Sequence, residues 1–147
     1  MDIFLYIKFI KNFMELTIKT NKKQELIDIT KLVESKIKIQ NGLINLYTQH
    51  TTAAIIINEN YDPNVCTDIL NCLSKLVPQG IWLHDKSGMC DRANAAAHIK
   101  ASILGPSKTI PIKNKKLQLG QWQSIMFVEL DGPRTRKIVL KQIESKE

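Results

Sequence analysis

Three histidines are the residues of this sequence with the widest chemical use, namely His50, His84 and His98. A neutral imidazole is a common zinc ligand and carries protons near neutral pH. Three protein ligands are also the number that an open catalytic metal site uses. The histidines lie far apart along the chain, so that only folding could bring them together. A separate structural role for each histidine is the alternative interpretation.

Acidic residues near these histidines could supply a carboxylate to the same chemistry. Asp62 precedes Pro63 at a predicted helix start, where a carboxylate caps free backbone amides. Glu59 instead follows an apolar run that is typical of a strand, and a strand end is a suitable edge for a site. We therefore favour Glu59 over Asp62 as a catalytic carboxylate.

Two later segments offer groups that could bind a phosphorylated ring compound. Ser107 follows Gly105 and Pro106, and this turn can present amide and hydroxyl donors to a phosphate, although a preceding helix C-terminus would oppose an anion. Trp122 can stack on a flat heterocycle and Gln123 can hydrogen-bond to it, with core packing of Trp122 as the alternative. No Walker-type loop or dinucleotide fingerprint is present, so ATP hydrolysis and nicotinamide chemistry gain no support.

Size and charge narrow the class of protein. A chain of 147 residues with 44% hydrophobic content suits one compact domain. The net charge of +7 favours anionic partners such as phosphate esters, nucleic acid or a membrane surface. The basic residues are spread in short groups with few aromatic residues between them, so we expect a solvated surface and no nucleic-acid partner.

The cysteines and the first residues predict a location and a domain boundary. Cys66, Cys72 and Cys90 include no Cys-x-x-Cys pair and follow no secretory signal, which favours the cytoplasm and gives little support to a cysteine metal site. Residues 1–13 are too short to span a bilayer, so we expect no membrane partner. We interpret 1–13 as an N-terminal extension of a domain at 14–147, with an extra strand or a short packing helix as alternatives.

The spacing of apolar residues predicts the elements that must position these groups. Alternation with polar residues indicates half-buried strands, and recurrence every three or four positions indicates helices. The predicted elements in chain order are a strand over 14–20, a helix from near Asn21 to near Gly42, two strands or one bent strand over 43–47 and 53–58, a helix over 63–77, a helix over 93–104, and strands over 108–112, 117–119, 124–130 and 136–143. Helices in the middle and a meander of strands at the C-terminal end predict an α+β fold, mostly antiparallel, with about three helices.

Three blocks of this sequence resemble the YjbQ-like family. The first block contains His50-Thr51-Thr52-Ala53-Ala54, Asn58-Glu59-Asn60 and Asp62-Pro63-Asn64-Val65. The second contains Asn94, His98-Ile99-Lys100-Ala101-Ser102, Leu104-Gly105, Ser107 and Ile110-Pro111-Ile112. The third contains Leu119-Gly120, Trp122-Gln123, Glu129 and Asp131-Gly132-Pro133-Arg134. The agreement keeps its order from about Met14 to the C-terminus.

This resemblance implies a compact α+β domain that forms homotrimers. It also implies the activity of a secondary thiamine-phosphate synthase, a transferase that joins a pyrimidine pyrophosphate to a thiazole phosphate and releases pyrophosphate. A noncatalytic trimeric protein that binds a phosphate-bearing small molecule is the alternative function.

In that reaction a carboxylate could hold Mg²⁺ on the leaving group, and basic side chains could neutralise its growing charge. The predicted roles are catalysis by His50, Glu59 and His98, substrate binding by Arg92, Lys100, Ser107 and Gln123, and ligation of Mg²⁺ or Zn²⁺ by His50, His84 and His98.

The chain departs from the family pattern at three positions. Asn114 stands where the family has a hairpin glycine, a mild change because asparagine tolerates the left-handed conformation. Gln121 replaces a threonine, and Ala96 replaces a residue that is more often polar. If that polar side chain takes part in the chemistry of relatives, this chain performs the reaction less well or differently.

Overall fold

The fold is taken from a computed structural model, which describes residues 13–89 and 91–145 and leaves out the side chain of Phe13. The strands are β1 (Phe13–Lys19), β2 (Glu25–Asp28), β3 (Gly42–Thr48), β4 (Ala53–Glu59), β5 (Ser107–Lys113), β6 (Lys116–Leu117), β7 (Gln123–Glu129) and β8 (Thr135–Glu144). The helices are α1 (Thr30–Glu34), α2 (Pro63–Leu76) and α3 (Ala95–Leu104), with a short 3-10 helix at Leu83–Lys86. The predicted extension, 1–13, lies outside the described residues apart from the backbone of Phe13, and so does Cys90.

Two antiparallel sheets pack face to face. Sheet 1 has the order β1-β8-β3-β5-β6, and sheet 2 has the order β2-β7-β4. Alternate side chains of both sheets point inward and form the main core, with Ile44 and Leu140 of sheet 1 meeting Ile55 and Phe127 of sheet 2. The predicted α+β class, mostly antiparallel with three helices, is confirmed.

Helices α2 and α3 lie on the outer face of sheet 2, whereas Val33 of α1 packs into the main core. Ala97 and Ala101 of α3 pack against Val128 and Ala54, so the small side chains of α3 allow a close approach inside the chain. From α2, the Cys66 Sγ atom lies 3.7 Å from the Met126 Sδ atom of β7. The site described below lies where α3 meets the loop between β3 and β4.

The second and third predicted helices are confirmed. The Asp62 carboxylate accepts a hydrogen bond from the Asn64 amide at 2.8 Å, as expected for an N-cap. Leu73 is buried but Leu76 is 66% exposed, so the apolar stripe of α2 stops short of the helix end. Gly105 ends α3 with a φ of 85°. None of the helices in 13–89 and 91–145 is long and apolar enough to cross a membrane.

The first predicted helix is wrong over most of its length. β2 occupies its start and α1 has 5 residues. Leu26 and Ile27 pair with Val128 and Phe127 of β7, so ladder hydrogen bonds and sheet packing override the helical spacing of the apolar residues. Near the start, the backbone amides of Asn21 and Lys22 donate to the Glu25 carboxylate instead of opening a helix.

The predicted C-terminal meander is also wrong. β7 lies at the centre of sheet 2, whereas β8 lies between β1 and β3 in sheet 1. Among these last strands, β5 and β6 are paired with each other as a hairpin. The runs at 43–47 and 53–58 are two strands, one in each sheet. Periodicity predicts that a segment is a strand, but it does not identify the partner strand.

Candidate functional site

Two of the three histidines line one open pocket of about 340 Å³. His50 comes from the loop between β3 and β4, and His98 comes from α3, with Ala101 and Ser102 beside it. Residues three and four apart on a helix share a face, which brings these three side chains of α3 to one wall. Tyr47, at the end of β3, forms part of another wall.

The His50 ring is held by the edge of a strand. The pairing of β3 with β8 ends at Thr48 and Ile138, and the next β8 amide, Lys137 N–H, donates to His50 Nε2 at 2.9 Å. Because Nε2 is an acceptor here, the neutral ring carries its proton on Nδ1. Partial burial lowers the pKa of His50, the charge of Arg136 lowers it further, and Glu129 opposes them. His50 is therefore a neutral ring whose remaining polar group is an N–H donor.

A buried ion pair supports the His50 loop from behind. Arg136 donates to both carboxylate oxygens of Glu129, at 2.7 and 2.6 Å, and to Thr52 Oγ1 at 2.9 Å. Burial by itself raises the pKa of Glu129, but hydrogen bonds from Arg136, the Asp131 amide and Thr20 outweigh it, so the pKa lies below its ordinary value. The pair stays charged and ties the loop to β7 and β8.

His84 contacts His98 but does not line the pocket. The rings of His84 and His98 lie edge to face with centroids 5.3 Å apart. His84 Nε2 is 3.2 Å from Asn94 Oδ1, while Asn94 Nδ2 donates to Asp131 Oδ2 at 3.0 Å. A carboxylate only accepts, so Asp131 sets the orientation of the Asn94 amide. Asn94 Oδ1 then requires a proton on His84 Nε2.

Two arginines share the Asp131 carboxylate. Arg92 Nη1 and Arg134 Nη2 donate to Asp131 Oδ2 at 2.9 and 2.8 Å. Arg92 is 48% exposed and Arg134 is 33% exposed, so guanidinium N–H groups remain available to a ligand. We refer to His84, Arg92, Asn94, Asp131 and Arg134 as the Asp131 cluster. Its two arginines and one carboxylate leave an excess positive charge next to the histidines.

We call the pocket lined by His50 and His98 the histidine pocket. Of the predicted site residues, Lys100, Glu59 and Gln123 lie away from it. Lys100 is buried and bonds to Ser74 of α2, on the other side of α3 from His98. Burial lowers the pKa of Lys100, and Lys23 lowers it further. Glu59 pairs with Gln123 at the opposite end of β4 from Ala53, roughly 20 Å away at the rise of a strand.

Ser107 lies beside the pocket wall rather than inside the pocket. It is paired with Tyr47 across β3 and β5, and its hydroxyl accepts a hydrogen bond from Asn45 Nδ2 at 2.8 Å. Trp122 is 55% exposed and meets the Tyr61 ring edge to face, with centroids 5.4 Å apart. Trp122 is therefore a surface residue and the core-packing interpretation is wrong.

The predicted three-histidine metal site does not fit a single chain. No group of three or more His, Cys, Asp or Glu side chains within 13–89 and 91–145 is arranged to hold a metal ion. Of the His50 and His84 rings, each already uses Nε2 in a hydrogen bond, to Lys137 and Asn94 respectively. The side chains that could do acid–base chemistry in this pocket are the imidazoles of His50 and His98, and the guanidiniums of Arg92 and Arg134 belong to the neighbouring Asp131 cluster.

Sequence reasoning missed the polar residues that hold the histidines. They are Asn94, Glu129, Asp131, Arg134 and Arg136. The available signal was Glu129 and Asp131 at the end of the apolar run 124–130, because an acid that continues a buried strand needs a charged partner. Which arginine supplies that charge depends on the sheet register.

The comparisons with known proteins agree with this fold over most of the chain. The family model described as UPF0047 protein YjbQ-like matches residues 14–145. A UPF0047 protein of Archaeoglobus fulgidus is 47% identical over 131 residues, which is 88% of this chain and 100% of that protein. UPF0047 protein YugU of Bacillus subtilis is 43% identical, covering 87% of this chain and 96% of its own.

Solved structures give the same result. An uncharacterized conserved protein of the YjbQ/UPF0047 family from Clostridium acetobutylicum superposes with a TM-score of 0.81 at 44% identity, covering 88% of this chain and 99% of that one. A hypothetical protein from Aeropyrum pernix K1 superposes with a TM-score of 0.82 at 38% identity, covering 90% and 98%. The match in sequence, length and fold shows that the chain belongs to the YjbQ-like UPF0047 protein family.

Proposed function

We propose that the chain is a transferase that joins a pyrimidine pyrophosphate to a thiazole phosphate and releases pyrophosphate. The observation that carries this proposal is the meeting of His50 and His98 in one open pocket, with His84 in contact with His98. These residues come from three separate segments, so the fold concentrates imidazoles where a small substrate has access.

The two histidines of the pocket suit the departure of pyrophosphate. When the bond to the leaving group breaks, negative charge grows on the pyrophosphate oxygens, and hydrogen-bond donors placed beforehand stabilise that charge. His50 offers its Nδ1–H group, and His98 offers a ring that can donate or accept a proton. Arg92 of the Asp131 cluster adds a partly exposed guanidinium for a substrate phosphate.

The proposal includes a homotrimer. Leu43 and Ile143 are neighbours on the outer face of sheet 1 and are 42% and 57% exposed. Tyr47, on the same face, is 43% exposed and also lines the pocket. A second copy on this face would bury apolar surface and reach the rim of the pocket. The small residues Ala97 and Ala101 of α3 pack inside the chain against sheet 2 and are not part of this face.

A bound Mg²⁺ or Zn²⁺ and a cytoplasmic location stay predictions of the same proposal. No step above depends on the metal. Cys66 and Cys72 are free thiols, which suits a reducing compartment.

An activity assay on purified variants tests the proposal. We expect wild type to form thiamine phosphate from the two substrates, and His98→Ala to lower the rate at least about tenfold, the usual contribution of a placed acid or base. Gln118→Ala is the control, because Gln118 is exposed and the side-chain hydrogen bonds described for it go to the backbone of Lys113 and Lys116 in the β5–β6 hairpin. Each protein is assayed with Mg²⁺, with Zn²⁺ and with a chelator, and its melting temperature is recorded. Equal rates in folded His98→Ala and wild type would overturn the catalytic role.

A noncatalytic trimeric protein for a phosphate-bearing ligand is the second candidate. The described lining of the pocket contains the imidazoles of His50 and His98 but no Asp or Glu, so it lacks a carboxylate base. Absence of product in every metal condition, together with binding of thiazole phosphate that His98→Ala weakens, would favour this function over the transferase.

A further inference from the structure

The most deeply buried cation of the described chain lies outside the histidine pocket. Lys100 of α3 is 1% exposed, and its ammonium donates to Ser74 Oγ of α2 at 3.2 Å. Within 13–89 and 91–145, no carboxylate forms an ion pair with it. An ammonium has three donors, and a buried charge is costly unless it is paired. Lys100 therefore has fewer partners than its charge requires.

A second lysine increases the excess charge. Lys23, in the turn between β1 and β2, repels Lys100 and donates to Gln79 Oε1 at 3.3 Å. Ser74 Oγ donates to Gln24 Oε1 at 3.4 Å, so its lone pair faces Lys100. We call Lys23, Gln24, Ser74, Gln79 and Lys100 the lysine cluster. It holds two positive charges, neutral polar groups and no acid.

The C-terminal end of α2 does not account for this arrangement. Ser74 lies in the last turn of α2, where the helix dipole favours a cation. That effect is small compared with the cost of burying an ammonium without a counter-charge. The hydrogen bond described for Lys100 from this turn goes to a side-chain hydroxyl and not to a backbone carbonyl.

The lysine cluster is separate from the histidine pocket. Residues two apart on a helix point about 200° apart around its axis, so His98 and Lys100 face opposite sides of α3. The pocket wall on α3 consists of His98, Ala101 and Ser102, whereas Lys100 contacts α2. Ser74, Lys23 and Gln79 are exposed, so the Lys100 ammonium that bonds to Ser74 lies directly beneath the protein surface.

We propose that Lys100, Lys23 and Ser74 form a binding site for a small phosphate-type oxyanion, distinct from the histidine pocket. The anion takes hydrogen bonds from both ammonium groups, and the Ser74 hydroxyl holds the Lys100 ammonium in position. Charge-assisted bonds of this kind are the ones a phosphate oxygen accepts most strongly. The same chemistry serves free phosphate and the phosphate of an ester, and the site supplies the counter-charge that Lys100 lacks.

Inorganic phosphate is the probe for this site, with sodium chloride at equal ionic strength as the reference. We expect phosphate to raise the melting temperature of wild type more than chloride does. Lys100→Met removes this response and weakens binding in calorimetry at least about tenfold, the effect of losing a charged hydrogen bond. Without phosphate, Lys100→Met melts above wild type, because it removes a buried charge without a partner.

Matched variants separate this site from other causes. Lys23→Met changes an exposed residue, so it keeps the fold and weakens phosphate binding. Lys113→Met, an exposed lysine of β5, removes the same charge and leaves the response unchanged. His50→Gln keeps the part of the response that Lys100→Met removes. A response lost in His50→Gln but kept in Lys100→Met would overturn the proposal, and so would equal responses to phosphate and chloride.

Discussion

The position of His50 depends on a buried ion pair behind the loop that carries it. Its ring accepts a backbone N–H from β8, and the loop that carries it is bonded through Thr52 to Arg136. Arg136 is 5% exposed and Glu129 is 0% exposed in their side chains. An ion pair of this kind adds little net stability compared with apolar residues, but removing one partner leaves the other charge buried and unpaired. The His50 loop is therefore sensitive to single substitutions of the buried charges behind it.

Glu129→Gln should destabilise the protein by about 3–5 kcal/mol, because Arg136 is left buried without its counter-charge. Glu15→Gln is the matched control, since Glu15 pairs with Lys137 at 2.9 Å at a site where the side chains are 44% and 55% exposed. That exposed pair should contribute only about 0–1 kcal/mol. Urea unfolding followed by circular dichroism measures both values. Similar losses in the two variants would contradict the structural role of the buried pair.

The pH dependence of stability follows from the same carboxylate. The pKa of Glu129 is lower in the folded chain than its ordinary value of 4.5, because Arg136, the Asp131 amide and Thr20 together outweigh burial. The unfolded state then binds the proton more readily, so this stabilisation is complete above the ordinary value and is lost as the pH falls through the folded value. The free energy of unfolding should decrease more steeply in acid for wild type and Glu15→Gln than for Glu129→Gln. Parallel curves for all three proteins would exclude Glu129 as the source.

At the scale of elements, the sequence correctly predicted those helix ends that a few adjacent residues determine. Asp62 and Pro63 start α2, and Gly105 ends α3, because capping and the left-handed conformation are properties of a few adjacent residues. The first predicted helix failed because β7 offers Leu26 and Ile27 a ladder that no local pattern reveals. Hairpin β5–β6 combines a local turn with the pairing of two strands.

The turn of that hairpin gives an element-scale prediction. Asn114 and Lys115 have φ values of 53° and 60°, and they connect the paired residues Lys113 and Lys116. Two positive φ values are typical of a type I′ turn, which favours asparagine followed by glycine. Lysine tolerates this conformation poorly, at a cost of about 1–2 kcal/mol. Lys115→Gly should therefore raise the melting temperature.

Lys116→Gly is the control for this turn, because residue 116 is in β6, where glycine weakens a strand. We expect it to lower the melting temperature. Thermal melts of both variants, followed by circular dichroism at the same protein concentration, measure the difference. A decrease in both variants would show that the strain at Lys115 is small.

At the scale of the whole molecule, the outer faces of the two sheets differ in whether helices cover them. Sheet 2 has its outer face covered by α2 and α3, whereas sheet 1 presents Leu43, Tyr47 and Ile143. Since Tyr47 also lines the histidine pocket, assembly through sheet 1 would place a neighbouring chain at the pocket rim.

Light scattering should report about three chains per particle for wild type. Ile143→Lys should shift the mass toward one chain, because it places a charge in the expected contact. Ile103→Lys is the control, with Ile103 54% exposed on α3 against 57% for Ile143. A monomeric wild type would contradict the trimer, and loss of assembly in Ile103→Lys alone would move the contact to α3.

The sequence by itself determined the family, the fold class and the two longer helices, because ordered motifs, apolar periodicity and caps are read along the chain. It also identified the three histidines. Only the tertiary structure decided that His98 lines a pocket with His50 and contacts His84, that Glu59 and Lys100 lie elsewhere, and that Glu129 and Asp131 hold the site. The physical reason is register: strand pairing and helix rotation join residues distant in sequence, and neither is a local property.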